Sequence, residues 1–136
     1  MLLTKKQIKR YSRQIILKKI GPIGQKKLIN SSVLVVGAGG LGSPILMYLA
    51  GLGVGKIGVV DHDKVDLSNL HRQILFDVND LKKEKSKIAS IKIGKINPDV
   101  KVNYFQKKLT KKNINKMANN FNILIEENLL VSTSLK

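Results

Sequence analysis

At 136 residues, 43% of them hydrophobic and 25% charged, the chain has the length and composition of one globular domain, which excludes a disordered or collagen-like polymer. Its net charge of +16, from 25 Lys and Arg against 9 Asp and Glu, raises nucleic acid, anionic membrane and phosphate-rich ligands as partners. Arginine accounts for only three of those cations (Arg10, Arg13 and Arg72), and aromatic residues make up 4%. Groove readers favour the arginine fork and single-strand binders need stacking platforms, so no nucleic acid partner is expected. The lysine excess, alongside abundant Ile and Asn, fits an A+T-rich coding sequence. With no cysteine, there is no disulfide, no thiolate zinc site and no thiol nucleophile in this chain. Neither a signal peptide nor an apolar run of the roughly 18 residues a membrane span needs is present. A cytoplasmic protein with no membrane partner is the expectation.

In chain order, residues 4–19 place Ile8, Tyr11, Ile15 and Ile16 at helical spacing behind Thr4 as N-cap, which predicts one amphipathic helix. Gly21-Pro22 breaks it, and a short helix over 23–29 follows. Val33 to Val36 is a β-branched apolar run without alternation, the mark of a strand buried on both faces in a parallel sheet. A Leu- and Ala-rich helix over 41–52, closed by Gly53, leads to a second strand over 56–61. Residues 61–80 form a polar stretch too long for a simple connection. A helix over 83–96 follows, with Ile88, Ile91 and Leu81 on one face, stopped by Asn97-Pro98-Asp99. Residues 100–105 alternate as a half-exposed strand, 111–119 read as a short basic helix and 122–125 as a last strand. The result is an α/β fold: a Rossmann-like parallel sheet with flanking helices, preceded by an N-terminal helical segment.

Gly37-Ala38-Gly39-Gly40-Leu41-Gly42 carries G-x-G-x-x-G between a predicted strand and a predicted helix. Such a turn lets backbone N–H groups and a helix N-terminus approach a phosphate. Asp61, nineteen residues after Gly42 at the end of the next strand, stands where a carboxylate accepts hydrogen bonds from ribose hydroxyls. The pattern leaves NAD and ATP both open, and the loop that follows, with Ser68, Asn69, His71, Arg72 and Gln73, is what separates them. His62 and His71 with Asp63 and Asp66 match no metal-ligand spacing and read as loop polarity.

The blocks VLVVGAGGLGSP, VDHDKVDLSNLHRQ, KEKSK and INPDV, with RYSRQI near the N-terminus, resemble the ThiF/MoeB/HesA family, E1-like relatives of the ubiquitin-activating enzymes. The resemblance runs from about Arg10 to Ile125. It implies ATP- and Mg²⁺-dependent adenylation of the C-terminal glycine of a ubiquitin-like sulfur-carrier protein ending in Gly-Gly, for thiamin or molybdopterin synthesis, by a homodimer. Carried over by position, Asp61 holds the ribose, and Gly37, Gly39 and Gly40 let the nucleotide lie against the first strand end. Ser68, Asn69, Arg72, Gln73 and Lys85 surround the phosphates, and Arg13 reaches into the other subunit's site. The catalytic set is Arg13, Arg72 and Lys85. A carboxylate attacking the α-phosphorus brings two anions together and expels pyrophosphate, so placed cations are needed and an enzyme nucleophile is not.

On this reading residues 1–31 are a helical dimerisation segment, 32–126 the βαβ nucleotide-binding core and 127–136 an aberrant tail. The family domain is about twice as long, so the sheet is expected to be incomplete at its C-terminus, as a frameshift or gene remnant would leave it. Where the family has Asp-x-Thr-Asp-Asn, this chain reads Glu126-Glu127-Asn128-Leu129-Leu130. An ungapped match puts Leu129 at the magnesium aspartate, and a two-residue deletion puts Glu127 there. The family's Cys-x-x-Cys zinc site has no counterpart. The alternative to an adenylating enzyme is a non-catalytic nucleotide-binding remnant or module.

Overall fold

The computed structural model describes residues 2–126; the tail over 127–136, with Glu127 and Leu129, lies outside them. The elements in chain order are α1 (Lys5–Arg10), α2 (Ser12–Ile15), α3 (Gly21–Ile29), β1 (Ser32–Val36), α4 (Gly42–Leu52) and β2 (Lys56–Val60), then α5 (Lys85–Ile96), β3 (Lys101–Phe105), α6 (Ile114–Ala118) and β4 (Ile123–Glu126). Short 3-10 turns at Leu67–Asn69 and Val78–Asp80 interrupt the long connection after β2. The four strands are parallel in the order β3-β2-β1-β4. The chain thus builds outward from β1 to β3, then crosses back to set β4 on the other side of β1. Among the described residues no helix is long and apolar enough to cross a membrane.

Strand alternation sends side chains to two faces and creates two cores. Val33, Val35, Ile57 and Val59 face Leu46 and Ala50 of α4 and Ile88, Ala89 and Ile93 of α5. Leu34 and Val60 face Met117, Ala118, Phe121 and Leu124. The long connection is ordered because it contributes Val65, Leu75 and Phe76 to the larger core. Lys92 of α5 also holds it, donating to Asp77 at 2.7 Å and lying 3.0 Å from Asp80. Hydrogen bonding to Lys92 keeps the Asp77 carboxyl below its ordinary value and raises the Lys92 ammonium.

Three expectations need correction. The single helix over 4–19 is two: Thr4 caps α1 with a capping box, but the helix breaks at Tyr11, whose backbone turns out of the helical range (φ −102°, ψ 13°). Of the expected apolar face, Tyr11 is buried while Ile8 and Ile16 stay exposed. On α5 the buried face runs through Lys85, Ser86, Ile88, Ala89 and Ile93, which leaves Ile91 exposed, and the helix starts at Lys85 rather than at 83. The basic helix over 111–119 shrinks to α6, since 111–113 are a turn.

The Tyr11 ring fills the space where Gly53 lacks a β-carbon: a Cβ there would lie 2.5 Å from the ring, and the Gly53 φ of +85° already disfavours any other residue. The Tyr11 hydroxyl accepts from Asn97 Nδ2 at 2.8 Å, and Nδ2 also donates to the Ala50 carbonyl at 2.9 Å. Asn97 is wholly buried, so it pins α1 to the C-terminal ends of α4 and α5. Asn97→Ala strips partners from both groups and is expected to lower stability by about 1–3 kcal/mol. Tyr11→Phe, which keeps the ring, should cost less; urea unfolding midpoints measure both.

Candidate functional site

The strand order reverses between β1 and β4, and in open α/β sheets ligands bind outside the carboxyl ends of the strands at that point. A crevice of ≈ 300 Å³ opens there, lined by Gly37, Asp61, His62, Asp63, Lys107, Lys108 and Glu126 among others. That volume lies at the lower end of the range for small-molecule sites.

The glycine turn is set by a backbone contact. Gly37 adopts φ +95° and donates to the Val60 carbonyl at 2.7 Å. A β-carbon on Gly42 would lie 2.0 Å from the Gly37 carbonyl oxygen, so only glycine lets α4 begin this close to β1. Asp61, 8% exposed, locks the turn from the next strand. One carboxylate oxygen accepts from the Ala38 amide and the other from the Asp63 amide, both at 2.8 Å. Each oxygen keeps lone-pair capacity for a further donor such as a ribose hydroxyl.

The remaining candidates flank this crevice and do not line it. Arg72 lays its stem over Gly40, whose ideal β-carbon would meet Arg72 Cδ at 3.6 Å. Its guanidinium donates to the Ser68 carbonyl at 3.2 Å and lies 3.4 Å from His71 Nε2. Asn69 accepts from the amides of Arg72 and Gln73, and Ser68 donates its amide and hydroxyl to Asp66. That hydroxyl is the main reason the Asp66 carboxyl lies below its ordinary value. Lys85 opens α5, and its amide donates to the Asp63 carbonyl at 3.0 Å, which ties the helix start to the Asp61 loop. Arg13 is exposed on α2, with no hydrogen bond or ion pair to this group among the described residues.

What distinguishes the flank is unmet polarity. Lys85 is 5% exposed as a residue, its stem packed and its ammonium reaching solvent, and that ammonium has no hydrogen-bond or ion-pair partner among the described residues. Arg72 faces no carboxylate there either, and Gln73, also 5% exposed, has a buried Oε1 without a partner. A buried side-chain amide is normally matched. Two donor-rich side chains and an orphaned acceptor beside a glycine turn fit a polyanionic nucleotide, which supplies both acceptors and donors.

Lys107 and Lys108, which follow β3 at the crevice mouth, escaped sequence reasoning. The signal was positional: the residues after the carboxyl end of any strand near the switch point border the ligand, and two lysines in a lysine-rich chain drew no notice. Asp61, His62 and Asp63 each bring one ligand atom within 4.8 Å of the others. Of the other loop groups, His71 turns to Arg72 and Asp66 to Ser68.

Residues 11–126 match the model of the ThiF family. A sulfur carrier protein adenylyltransferase of Thermus thermophilus is 42% identical over 123 residues, covering 90% of this chain and 45% of the relative. The sulfur carrier protein ThiS adenylyltransferase of Escherichia coli is 48% identical over 101 residues, covering 74% and 40%. A crystal structure of E. coli MccB with ATP superposes with a TM-score of 0.74 at 28% identity, covering 85% of this chain and 35% of that one. The chain spans less than half the length of these relatives.

The stem of Lys85 is packed while its ammonium reaches solvent, so the charge itself bears little on the fold. Lys85→Met keeps the stem and removes the charge, and is expected to leave the melting temperature of the nucleotide-free protein little changed. Scanning calorimetry without ATP checks this; a lower melting temperature would show that Lys85 is internally compensated.

Proposed function

The chain belongs to the ThiF family, and from that membership together with the unmatched cations we propose that it binds ATP and adenylates the C-terminal glycine of a ubiquitin-like sulfur-carrier protein ending in Gly-Gly. The observation that carries the reading is a glycine turn locked by a ribose-type aspartate, with the orphaned Gln73 Oε1 and the packed stem of Lys85 on its flank. In this scheme the adenosine lies in the crevice, with its ribose hydroxyls on Asp61, and the first strand end at Gly37, Gly39 and Gly40 accepts the close approach. The phosphates run along the flank past Ser68, Asn69, Arg72, Gln73 and Lys85.

The chemistry asks little of the protein beyond placement and charge. The carrier carboxylate attacks the α-phosphorus, and the bond to the β-phosphate oxygen breaks with release of pyrophosphate. Arg72, with its planar fork, suits two phosphate oxygens at once; Lys85 supplies a point charge from a packed stem. Arg13 completes the charge from a second copy, with residues 1–31 forming the dimer contact and 32–126 the nucleotide core. Mg²⁺, when bound with ATP, further neutralises the triphosphate; Glu127 is the residue proposed to stand for its aspartate. The carrier belongs to the thiamin or molybdopterin branch, and the setting is the cytoplasm.

Thermal melting with and without Mg-ATP, and ATP–pyrophosphate exchange with a Gly-Gly-ended carrier protein, test this. ATP is expected to raise the melting temperature by mass action. Arg72→Ala should cut exchange by about 100-fold or more, the usual cost of removing a donor to transition-state charge. Stabilisation without exchange would support a non-catalytic nucleotide-binding module instead, and identical melting curves would sink nucleotide binding itself.

A further inference from the structure

The flank of the site hangs on one exposed carboxylate. Asp66 is the N-cap of the 3-10 turn Leu67–Asn69, in extended conformation (φ −120°, ψ 146°). Its Oδ2 accepts the Ser68 amide at 3.1 Å and also the Ser68 hydroxyl, and its carbonyl accepts the Asn69 amide at 3.0 Å. The turn so fixed presents two carbonyls to the chain beyond it. That of Ser68 accepts the Arg72 guanidinium at 3.2 Å, and that of Asn69 accepts the amides of Arg72 at 3.2 Å and Gln73 at 2.9 Å. Both ends of Arg72, backbone and side chain, are therefore referred to a turn that Asp66 closes.

We propose that Asp66 is a positioning residue for the phosphate-binding flank: as acceptor for Ser68 it holds the turn that aims Arg72. This role rests on the nucleotide reading above. Asp66 itself is exposed and outside both cores, so its contribution to packing is small. An acceptor two residues before the amide it engages substitutes for a backbone turn, and Asp, Asn and Ser all perform that task. The carboxyl lies below its ordinary value, chiefly through the Ser68 hydroxyl and amide and then the Leu67 amide, with the Lys85 charge adding to them. It is therefore ionised, and an acceptor only, across the neutral range.

Calorimetric titration of the full chain with Mg-ATP and, separately, with adenosine tests the proposal, because adenosine reaches Asp61 without the flank. Asp66→Ala is expected to weaken Mg-ATP about tenfold, the cost of a lost N-cap, and adenosine less than about twofold. Asp66→Asn and Asp66→Ser, which retain an acceptor, should bind Mg-ATP like the wild type. Unchanged ATP affinity in Asp66→Ala overturns the role, as does an equal loss for ATP and adenosine, which marks general disruption. Asn and Ser variants as weak as Ala overturn it too, and they carry the test if the Ala variant is unstable. A wild-type chain that binds no ATP removes the nucleotide reading and this role with it.

Discussion

Everything at the candidate site is referred to one steric fact: α4 starts so close to β1 that Gly42 has no room for a β-carbon beside the Gly37 carbonyl. That contact fixes where the first helical turn points and leaves the Ala38 amide facing the end of β2. Asp61 then reaches across and accepts it. With the turn locked, Gly40 offers a flat surface against which the Arg72 stem lies. A methyl group at position 42 would displace the helix, the aspartate's partner and the arginine's platform together, because the obstacle is backbone and cannot swing aside.

Several buried polar groups of the scaffold are matched to one another. Gln25, wholly buried, accepts from Gln14 at 2.7 Å and donates to the Leu52 carbonyl at 3.0 Å. Asn97 serves Tyr11 and Ala50, and Ser86, wholly buried, donates to Gln106 at 2.8 Å. Gln106 in turn donates to the His62 carbonyl at 2.9 Å, so the elements carrying Asp61 and Lys85 are stitched through a satisfied network. Among the described residues the matching fails at Gln73 Oε1 on the flank and at Asn103 Oδ1 within β3, and of these two the Gln73 acceptor is the one that stands beside the candidate site.

The glycine turn, the parallel strands and Asp61 were legible because each is a local signal: a residue type at a spacing that backbone geometry demands. The two-faced core was legible from the β-branched runs at Val33 and Ile57. Tyr11 was misread, since helical spacing cannot tell an aromatic that continues a face from one that leaves the helix to fill the space beside Gly53, 42 positions on. Ile91 was misread for a related reason: Ile88 and Ile93 define the face, and Lys85 and Ser86 occupy core positions that hydrophobicity alone assigns to solvent. The order of the long loop was hidden as well, because it comes from Val65, Leu75 and Phe76 packing against elements far away in sequence. For Glu127 the comparison stops short, as it lies outside the described residues.

The net charge of +16 takes on a different meaning once the cations are sorted by environment. Exposed lysines act through water and salt, where charges more than about 10 Å apart barely sense one another. They confer solubility and a diffuse attraction for anions, and selectivity cannot come from them. Even the arginines divide: Arg10 donates to the Ile96 carbonyl at 3.4 Å, a cation at a helix C-terminus with a structural task. Lys85 differs from the exposed lysines in its burial: the packed stem fixes where the ammonium stands. On the proposed nucleotide reading, a placed ammonium and a placed arginine therefore count for more than the lysine surplus, and they suit a compact polyanion better than the extended ones that total charge first suggested.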